Sequence, residues 1–176
     1  MSWVLHRIDD RLIHGQVLVA WGVRLDPARI WIADDGVAAS DWERDLFRDA
    51  APGIEVRVTS VAEAAAVYAA EREQRGAAFL LVRDLAAARR LLEAGAAVGE
   101  WNVGGLHYAP GKDKVNDYVY LGAADRAEQQ RRHRRILHQY LPRRPRRRLP
   151  AHRGRQQNRG RKGEQNPRLV RVLHVG

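Results

Sequence analysis

Short apolar runs alternate with amphipathic or alanine-rich segments along the first 124 residues of the chain. Apolar runs of this length, bounded by turn signals, are typical of strands in a parallel sheet that is covered on both faces. The segments between them have helical spacing. The alternation therefore predicts an α/β fold, with an open, mainly parallel sheet and helices on both faces. The predicted strands are residues 3–8, 29–33, 54–58, 77–82, 98–103 and 118–121.

Helix start and stop signals fall between these strands. Ser60 and Glu63 form a capping box, in which hydroxyl and carboxylate each satisfy a backbone donor of the other residue. Ser40 and Asp84 are predicted N-caps, and Gly76 is expected to terminate the helix that follows Ser60. The predicted helices are residues 15–21, 41–49, 61–74 and 85–93.

The charge of the chain changes sign near residue 124. Residues 1–124 hold 14 Lys and Arg against 18 Asp and Glu, whereas residues 125–176 hold 17 against 3, and the whole chain carries +10. We predict an α/β domain over residues 1–124 and an Arg-rich tail over residues 125–176. The tail is expected to be helical to about residue 140 and then disordered, because low hydrophobicity with high charge does not offset chain entropy.

The abrupt change in composition has two explanations. A reading-frame shift in a GC-rich gene would turn Ala, Leu, Asp and Glu codons into Arg, Pro, His and Gly codons, and a true basic extension is the alternative. Translating the underlying DNA in the other frames separates the two. Either way, a tail that replaces a terminal strand and helix would expose a sheet edge and lower stability.

The remaining composition narrows the class of protein. The chain has no Cys, which excludes a disulfide framework and a Cys-ligated metal site. No apolar segment reaches the roughly 18 residues of a membrane helix, and the N-terminus lacks the basic and apolar pattern of a signal peptide. These features predict a cytoplasmic protein.

The most reactive side chains lie between the first strand and the first helix. His14 is a candidate nucleophile, because a neutral imidazole can hold a phosphoryl group on nitrogen. Arg11 is suited to binding phosphate oxygens, Gly15 allows close backbone approach, and Gln16 opens a helix whose N-terminus favours anions. A solvated surface His and a solvated surface Arg are the alternatives.

The two carboxylates of the same loop also have two interpretations. Asp9 and Asp10 orient the loop, by pairing with Arg7 or Arg11 or by accepting backbone N–H bonds, or they cap the loop and have no catalytic role. A further segment, Asn102-Val103-Gly104-Gly105, ends the fifth predicted strand, where paired glycines form either an anion cradle or a plain turn.

A metal site is the alternative use of these side chains. It would consist of His6, Asp9 and His14, but their spacing matches no common ligand motif. Transfer of a phosphoryl group between imidazoles requires no metal, and we predict neither a metal nor a cofactor.

The sequence Arg-Ile-Asp-Asp-Arg-Leu-Ile-His-Gly-Gln-Val at residues 7–17 resembles the signature loop of a known family. The family is the IIB component of the mannose/fructose/sorbose family of the phosphoenolpyruvate-dependent sugar phosphotransferase system. Trp-Ile-Ala-Asp-Asp at residues 31–35, Asn-Val-Gly-Gly at 102–105 and Gly-Lys-x-x-Val-Asn at 111–116 follow in the order and spacing of that family. The resemblance covers about residues 2–124.

The resemblance implies a phosphocarrier. A phosphoryl group would pass from a phosphohistidine of a IIA partner to Nδ1 of His14, with Arg11 supporting transfer. It would then pass to a sugar bound by a membrane IIC/IID permease, with which the protein would associate peripherally. The residues expected to support the phosphate or the loop are Asp9, Asp10, Gly15, Gln16, Asn102, Gly104 and Gly105.

Two other functions stay open at this point. One is a degenerate or regulatory copy that does not transfer the phosphoryl group. The other is non-specific binding of nucleic acid or another polyanion through the basic tail, with steep salt dependence. The sequence does not specify which sugar is carried, and a homodimer is a further hypothesis.

Overall fold

The structure is a computed structural model that describes residues 2–71, 75–130 and 136–138. Its strands are β1 (Ser2–Asp9), β2 (Arg29–Ala33), β3 (Glu55–Thr59), β4 (Ala77–Val82), β5 (Trp101–Gly105), β6 (Asp113–Asn116), β7 (Val119–Leu121) and β8 (Ile136–His138). Six of them form a sheet in the order β3-β2-β4-β1-β5-β8. All neighbours in this sheet are parallel, which confirms the predicted fold class.

Helices connect these strands. A π-helical segment (Gln16–Gly22) continues directly into α1 (Val23–Leu25). The later helices are α2 (Asp35–Ala38), α3 (Asp41–Asp49), α4 (Val61–Glu71), α5 (Leu85–Glu93) and α6 (Ala123–Gln130). Among the residues that the structure describes, no helix has the length and apolar character needed to cross a bilayer.

The apolar side chains form two clusters, one on each face of the sheet. The first includes Ile8, Tyr68 and Leu91 and contains residues of α4 and α5. The second includes Leu12 and Val37 and contains residues of the π-helical segment and α2. A strand covered on both faces has no solvated side, which explains why its sequence is continuously apolar and does not alternate.

The chain reverses its direction across the sheet beside β1. From β1 it runs through β2 to β3, whereas β4 returns between β2 and β1, and β5 continues on the far side of β1. The connections that leave β1 and β5 therefore diverge, and ligands of open parallel sheets bind at such a point, outside the carboxyl ends of the strands. In the register of β1 and β5, Asp9 lies beside Gly105 at this edge.

Several predicted caps are present. Ser60 N donates to Glu63 Oε2 at 2.9 Å and Glu63 N donates to Ser60 Oγ at 3.2 Å, so the capping box is confirmed. Asp84 caps α5 by accepting from Ala87 N at 2.7 Å. Ser40 occupies the N-cap position of α3, but its side chain makes no capping hydrogen bond.

Three elements differ from the sequence-based expectations. Strand β5 begins at Trp101, after residues 96–98, where Ala96 and Val98 are buried without belonging to a strand. Strand β7 pairs antiparallel with β6 in a separate two-stranded sheet. Within β7, Val119 and Leu121 are buried, and Tyr120 is only partly buried.

The third difference concerns the region after residue 124. Helix α6 is described as far as Gln130, and residues 136–138, which the sequence predicts to be helical, form β8 instead. Strand β8 pairs with β5, places Ile136 beside Trp101 and extends the sheet beyond β5. Residues 131–135 and 139–176 of the predicted tail, and the end of the helix predicted to reach residue 74, lie outside the described residues.

Candidate active site

A tight loop carries His14 from the end of β1 to the start of the π-helical segment. Leu12 N donates to Asp9 O at 3.0 Å, and Leu12 has a left-handed backbone with φ of 56°. Its side chain and that of Ile13 are buried in the second cluster, and this burial offsets the strain of that conformation. The loop therefore holds the side chain of His14 in a defined position with 15% of its area exposed.

A fully buried ion pair lies beneath the loop. Arg7 Nη2 and Asp9 Oδ2 are 2.7 Å apart, and neither side chain has any exposed area. The Arg7 guanidinium also donates to Asn102 Oδ1 at 2.6 Å and to Gln16 Oε1 at 2.7 Å. Burial lowers the pKa of Arg7 from its ordinary value, while the adjacent Asp9 carboxylate acts in the opposite direction.

The glycine in β5 makes room for this guanidinium. A Cβ atom placed on Gly104 would lie 1.9 Å from Arg7 Cζ, well inside van der Waals contact. Asn102 and Gly104 therefore hold Arg7, where the sequence suggested an anion cradle or a plain turn.

Hydrogen bonds from both sides determine the tautomer of His14. Nε2 lies 3.0 Å from Asp9 Oδ2, and Nδ1 lies 3.3 Å from the backbone N of Gln16. A carboxylate only accepts hydrogen bonds and a backbone N–H only donates them. In neutral His14, Nε2 therefore carries the hydrogen and Nδ1 has the free electron pair.

Arg11 supplies a cation at the surface of the site. Its backbone N donates to Asp9 Oδ1 at 3.2 Å, and its Nε lies 3.5 Å from the same oxygen. The side chain is 45% exposed and lies near Gly105, where a Cβ atom would be 3.4 Å from Arg11 Nη2. Among the described residues its terminal nitrogens have no hydrogen-bond partner, so they are available to an anion.

The end of β5 and the residues that follow β4 and β5 contact the same loop. Asp10 N donates to Gly105 O at 3.0 Å, and the Asp10 carboxylate accepts from His107 N at 2.6 Å. Arg83 pairs with Asp34 at 2.7 Å and reaches Asp10 O at 3.4 Å. Of the contacts expected for the two carboxylates, Asp9 pairs with Arg7 and Arg11, and Asp10 accepts a backbone N–H bond from His107. The imidazole of His107, 2.6 Å from Asp10 Oδ1, is an additional contact.

The structure brings most of the predicted residues together and separates a few. One connected group contains seven of the predicted residues: Asp9, Arg11, His14, Gln16, Asn102, Gly104 and Gly105. Gly15 is exposed at the start of the helical segment, and a Cβ atom placed on it would have no described atom within 4 Å. His6, the third residue of the alternative metal site, instead bonds Tyr68. Lys112 of the segment Gly-Lys-x-x-Val-Asn pairs with Asp125. Within the described residues no group of three or more His, Asp or Glu side chains is arranged to hold a metal ion.

Sequence reasoning missed the central position of Arg7. The sequence suggests Arg7 only as a partner for an aspartate, because its contact with Asn102 depends on the pairing of β1 with β5, and its contact with Gln16 depends on the fold of the loop after β1. A signal was nevertheless present: a charged residue in the middle of a run that is otherwise buried on both faces requires buried partners.

Comparisons with known proteins converge on one family. Residues 3–135 match the family described as "PTS system sorbose subfamily IIB component", so the match continues past residue 124. The PTS system sorbose-specific EIIB component of Klebsiella pneumoniae is 36% identical over 126 residues, 71% of this chain and 77% of that relative. The PTS system mannose-specific EIIAB component of Escherichia coli (strain K12) is 36% identical over 122 residues, 69% of this chain and 38% of that longer protein.

A solved structure agrees with these sequences. The crystal structure of the PTS system N-acetylgalactosamine-specific IIB component 1 from Escherichia coli superimposes with a TM-score of 0.72 at 28% identity. The superposition covers 80% of this chain and 95% of that one.

Proposed function

This chain belongs to the sorbose subfamily of IIB components of the phosphotransferase system, phosphotransferases that carry a phosphoryl group in sugar uptake, and we propose that its phosphoryl acceptor is Nδ1 of His14. The observation that carries the proposal is the pair of hydrogen bonds at the imidazole. Asp9 holds the hydrogen on Nε2, which leaves the electron pair of Nδ1 for attack on phosphorus.

The transfer of the phosphoryl group needs only the two imidazoles as reactants. The electron pair of Nδ1 forms the new N–P bond while the N–P bond of the donor phosphohistidine breaks, and that bonding pair returns to the donor ring. The ring of His14 becomes positively charged and keeps its Nε2 hydrogen, which faces the Asp9 carboxylate at 3.0 Å. A charge that develops beside a fixed counter-charge is stabilised without reorganisation of the site.

Two groups near Nδ1 are suited to binding the phosphoryl oxygens. The terminal nitrogens of Arg11 lie beside the loop and have no hydrogen-bond partner within the part of the chain that the structure describes, and a guanidinium can bind two phosphate oxygens at once. The backbone N–H of Gln16, which faces Nδ1 in the free protein, becomes a donor to the phosphoryl group once Nδ1 is occupied. It lies at the N-terminal end of a helical segment, where backbone donors favour anions.

The partners follow from the family. The relative in Escherichia coli named EIIAB combines IIA and IIB in one protein, so we propose a phosphohistidine of a IIA domain as the donor. The acceptor is a sugar hydroxyl of the mannose, fructose or sorbose class, held by a membrane IIC/IID permease with which the chain associates peripherally from the cytoplasm. Formation of a homodimer and non-specific binding of polyanions through residues 125–176 are separate proposals.

Radioactive labelling tests the proposal. The full chain is incubated with ³²P-phosphoenolpyruvate, the general carrier proteins of the system and a sorbose-class IIA protein. We expect an acid-labile label on the wild-type chain and none on His14→Ala. His6→Gln is the matched control, because His6 lies in a separate aromatic cluster, and it is expected to be labelled fully. Retained label on His14→Ala would exclude His14 as the acceptor.

A further inference from the structure

The two ring nitrogens of His14 are held by different residues, but both of these residues are bound to Arg7. Asp9 accepts from Nε2, Gln16 donates its backbone N–H to Nδ1, and each also accepts a hydrogen bond from the Arg7 guanidinium. We propose that Arg7 is the positioning residue of the phosphoryl acceptor, a single buried guanidinium that orients both sides of the His14 imidazole. This inference rests on the proposed function of His14.

The first connection runs through Asp9. Arg7 Nε and Nη2 both donate to Asp9 Oδ2, at 3.1 and 2.7 Å, and this same oxygen accepts from His14 Nε2. A carboxylate without exposed area needs charged or polar partners in place of water. Arg7 therefore fixes the position of Oδ2 opposite Nε2, and an oxygen that only accepts hydrogen bonds keeps the hydrogen of His14 on that nitrogen.

The second connection runs through Gln16. Arg7 Nη2 donates to Gln16 Oε1 at 2.7 Å, while the backbone N of Gln16 lies 3.3 Å from His14 Nδ1. Gln16 is the first residue of the π-helical segment. Because its side chain is fixed to the guanidinium, its N–H is held over the nitrogen that receives the phosphoryl group.

The position of the guanidinium is itself fixed from β5. Asn102 Oδ1 accepts from Arg7 Nη1 at 2.6 Å, and Gly104 leaves the space that Arg7 Cζ occupies. A flexible side chain with no exposed area and hydrogen bonds from all three guanidinium nitrogens has one available orientation. A lysine at position 7 would keep the charge, but its single nitrogen does not reproduce the planar fork that serves both connections.

The test uses three variants of the full chain. Arg7→Lys keeps the buried charge, and Gln16→Met cuts only the second connection. Arg29→Lys is the matched control, because Arg29 is also a nearly buried arginine on a strand, paired with Glu55 away from the loop. The ¹⁵N shifts of the His14 ring report the tautomer before any phosphorylation, and single-turnover labelling reports the rate at saturating IIA donor and the donor concentration that gives half that rate.

We expect Arg7→Lys to remain folded, to show a mixture of His14 tautomers, and to accept the phosphoryl group on the order of 100-fold more slowly, as small misplacements of reacting groups do. The half-saturating donor concentration should stay unchanged, because Arg7 is not exposed to a partner. Gln16→Met should keep the wild-type tautomer and lose about 10-fold in rate, an intermediate effect on the same scale. Arg29→Lys should match the wild type in both readouts.

Three results would contradict the role of Arg7. A folded Arg7→Lys protein with the wild-type tautomer and rate would overturn the inference, and so would an equal loss of rate in Arg29→Lys. If Arg7→Lys does not fold, a wild-type rate for Gln16→Met would decide against it. Failure of the proposed function is seen separately, as label that persists on His14→Ala, and the tautomer measurement does not depend on labelling.

Discussion

His6 and His14 lie on one strand and the loop that follows it, but the fold gives them opposite environments. His6 packs among aromatic rings, with Trp101 edge-on at 5.8 Å and Tyr68 OH at 2.9 Å from its Nε2. His14 is bound by a buried carboxylate and a backbone N–H. The strand alternation places His6 on the face of α4 and α5, whereas Arg7 and Asp9 point to the other side.

The difference shows that the contacts of an imidazole in the folded protein, and not its position in the sequence, determine its chemical role. Burial among rings lowers the pKa of His6 to about 4, so His6 is a neutral packing residue at physiological pH. His14 has a carboxylate beside Nε2, which stabilises positive charge on the ring when Nδ1 reacts. Three predictions test this contrast.

The largest expected effect comes from a substitution at Gly104 that crowds the buried ion pair of Arg7 and Asp9. In Gly104→Ala the new Cβ would overlap Arg7 Cζ at 1.9 Å, and the hydrogen-bonded guanidinium has no exposed space into which it can move. We expect a loss of about 3 kcal/mol or more in the free energy of unfolding, the size typical of a broken buried ion pair, together with slower labelling of His14. Denaturant unfolding measures the first.

Gly99→Ala is the control for that substitution, because nothing lies within 4 Å of a Cβ at Gly99. It should change stability by less than about 1 kcal/mol, because the added methyl group displaces no described atom. A Gly104→Ala protein as stable as Gly99→Ala would mean that Arg7 has room to move. The ion pair of Arg7 and Asp9 would then be no more rigid than an ion pair at the surface.

The next effect is the dependence of the free energy of unfolding on pH that comes from His6. Its folded pKa of about 4 lies below the ordinary value of 6.5, so the unfolded chain binds the proton more tightly. Stability from this residue is complete above pH 6.5 and is lost as the pH falls through about 4, and the shift corresponds to about 3 kcal/mol. In His6→Gln the fall in the free energy of unfolding between pH 7 and pH 4 should be smaller by that amount. Equal pH profiles for the two proteins would contradict the prediction.

Local patterns account for most of what the sequence predicted correctly. The continuous apolar runs of β2 and β4 predicted strands covered on both faces, and Ser60 with Glu63 predicted the start of α4. The loop around His14 was found because its reactive residues are contiguous in sequence.

The parts that sequence reasoning missed depend on pairing between distant segments. The neighbours of Arg7 come from β5 and from the helix start. The register of β1 with β5 brings Asn102 to Arg7, and the loop after β1 brings Gln16 to it. The apolar positions of β7 predict a strand, but its partner β6 has four exposed residues, of which only Val115 is apolar. Strand β8 consists of only three residues in an Arg-rich stretch, so the hydropathy averaged over neighbouring residues is polar and does not indicate a strand.

The smallest predicted effect separates the two histidines most directly. Tyr68→Phe removes the hydroxyl that bonds His6 Nε2 at 2.9 Å and keeps the ring stacked on Trp3 at 5.2 Å. A buried ring nitrogen that loses its partner should lower the free energy of unfolding by about 1 kcal/mol. Labelling of His14 should keep its wild-type rate, because Tyr68 packs in the aromatic cluster on the face of α4 and α5, whereas Arg7 and Asp9 lie on the other face of β1. If a folded Tyr68→Phe protein were labelled more slowly, the aromatic cluster would be coupled to the phosphoryl acceptor across the sheet, and the two environments would not be independent.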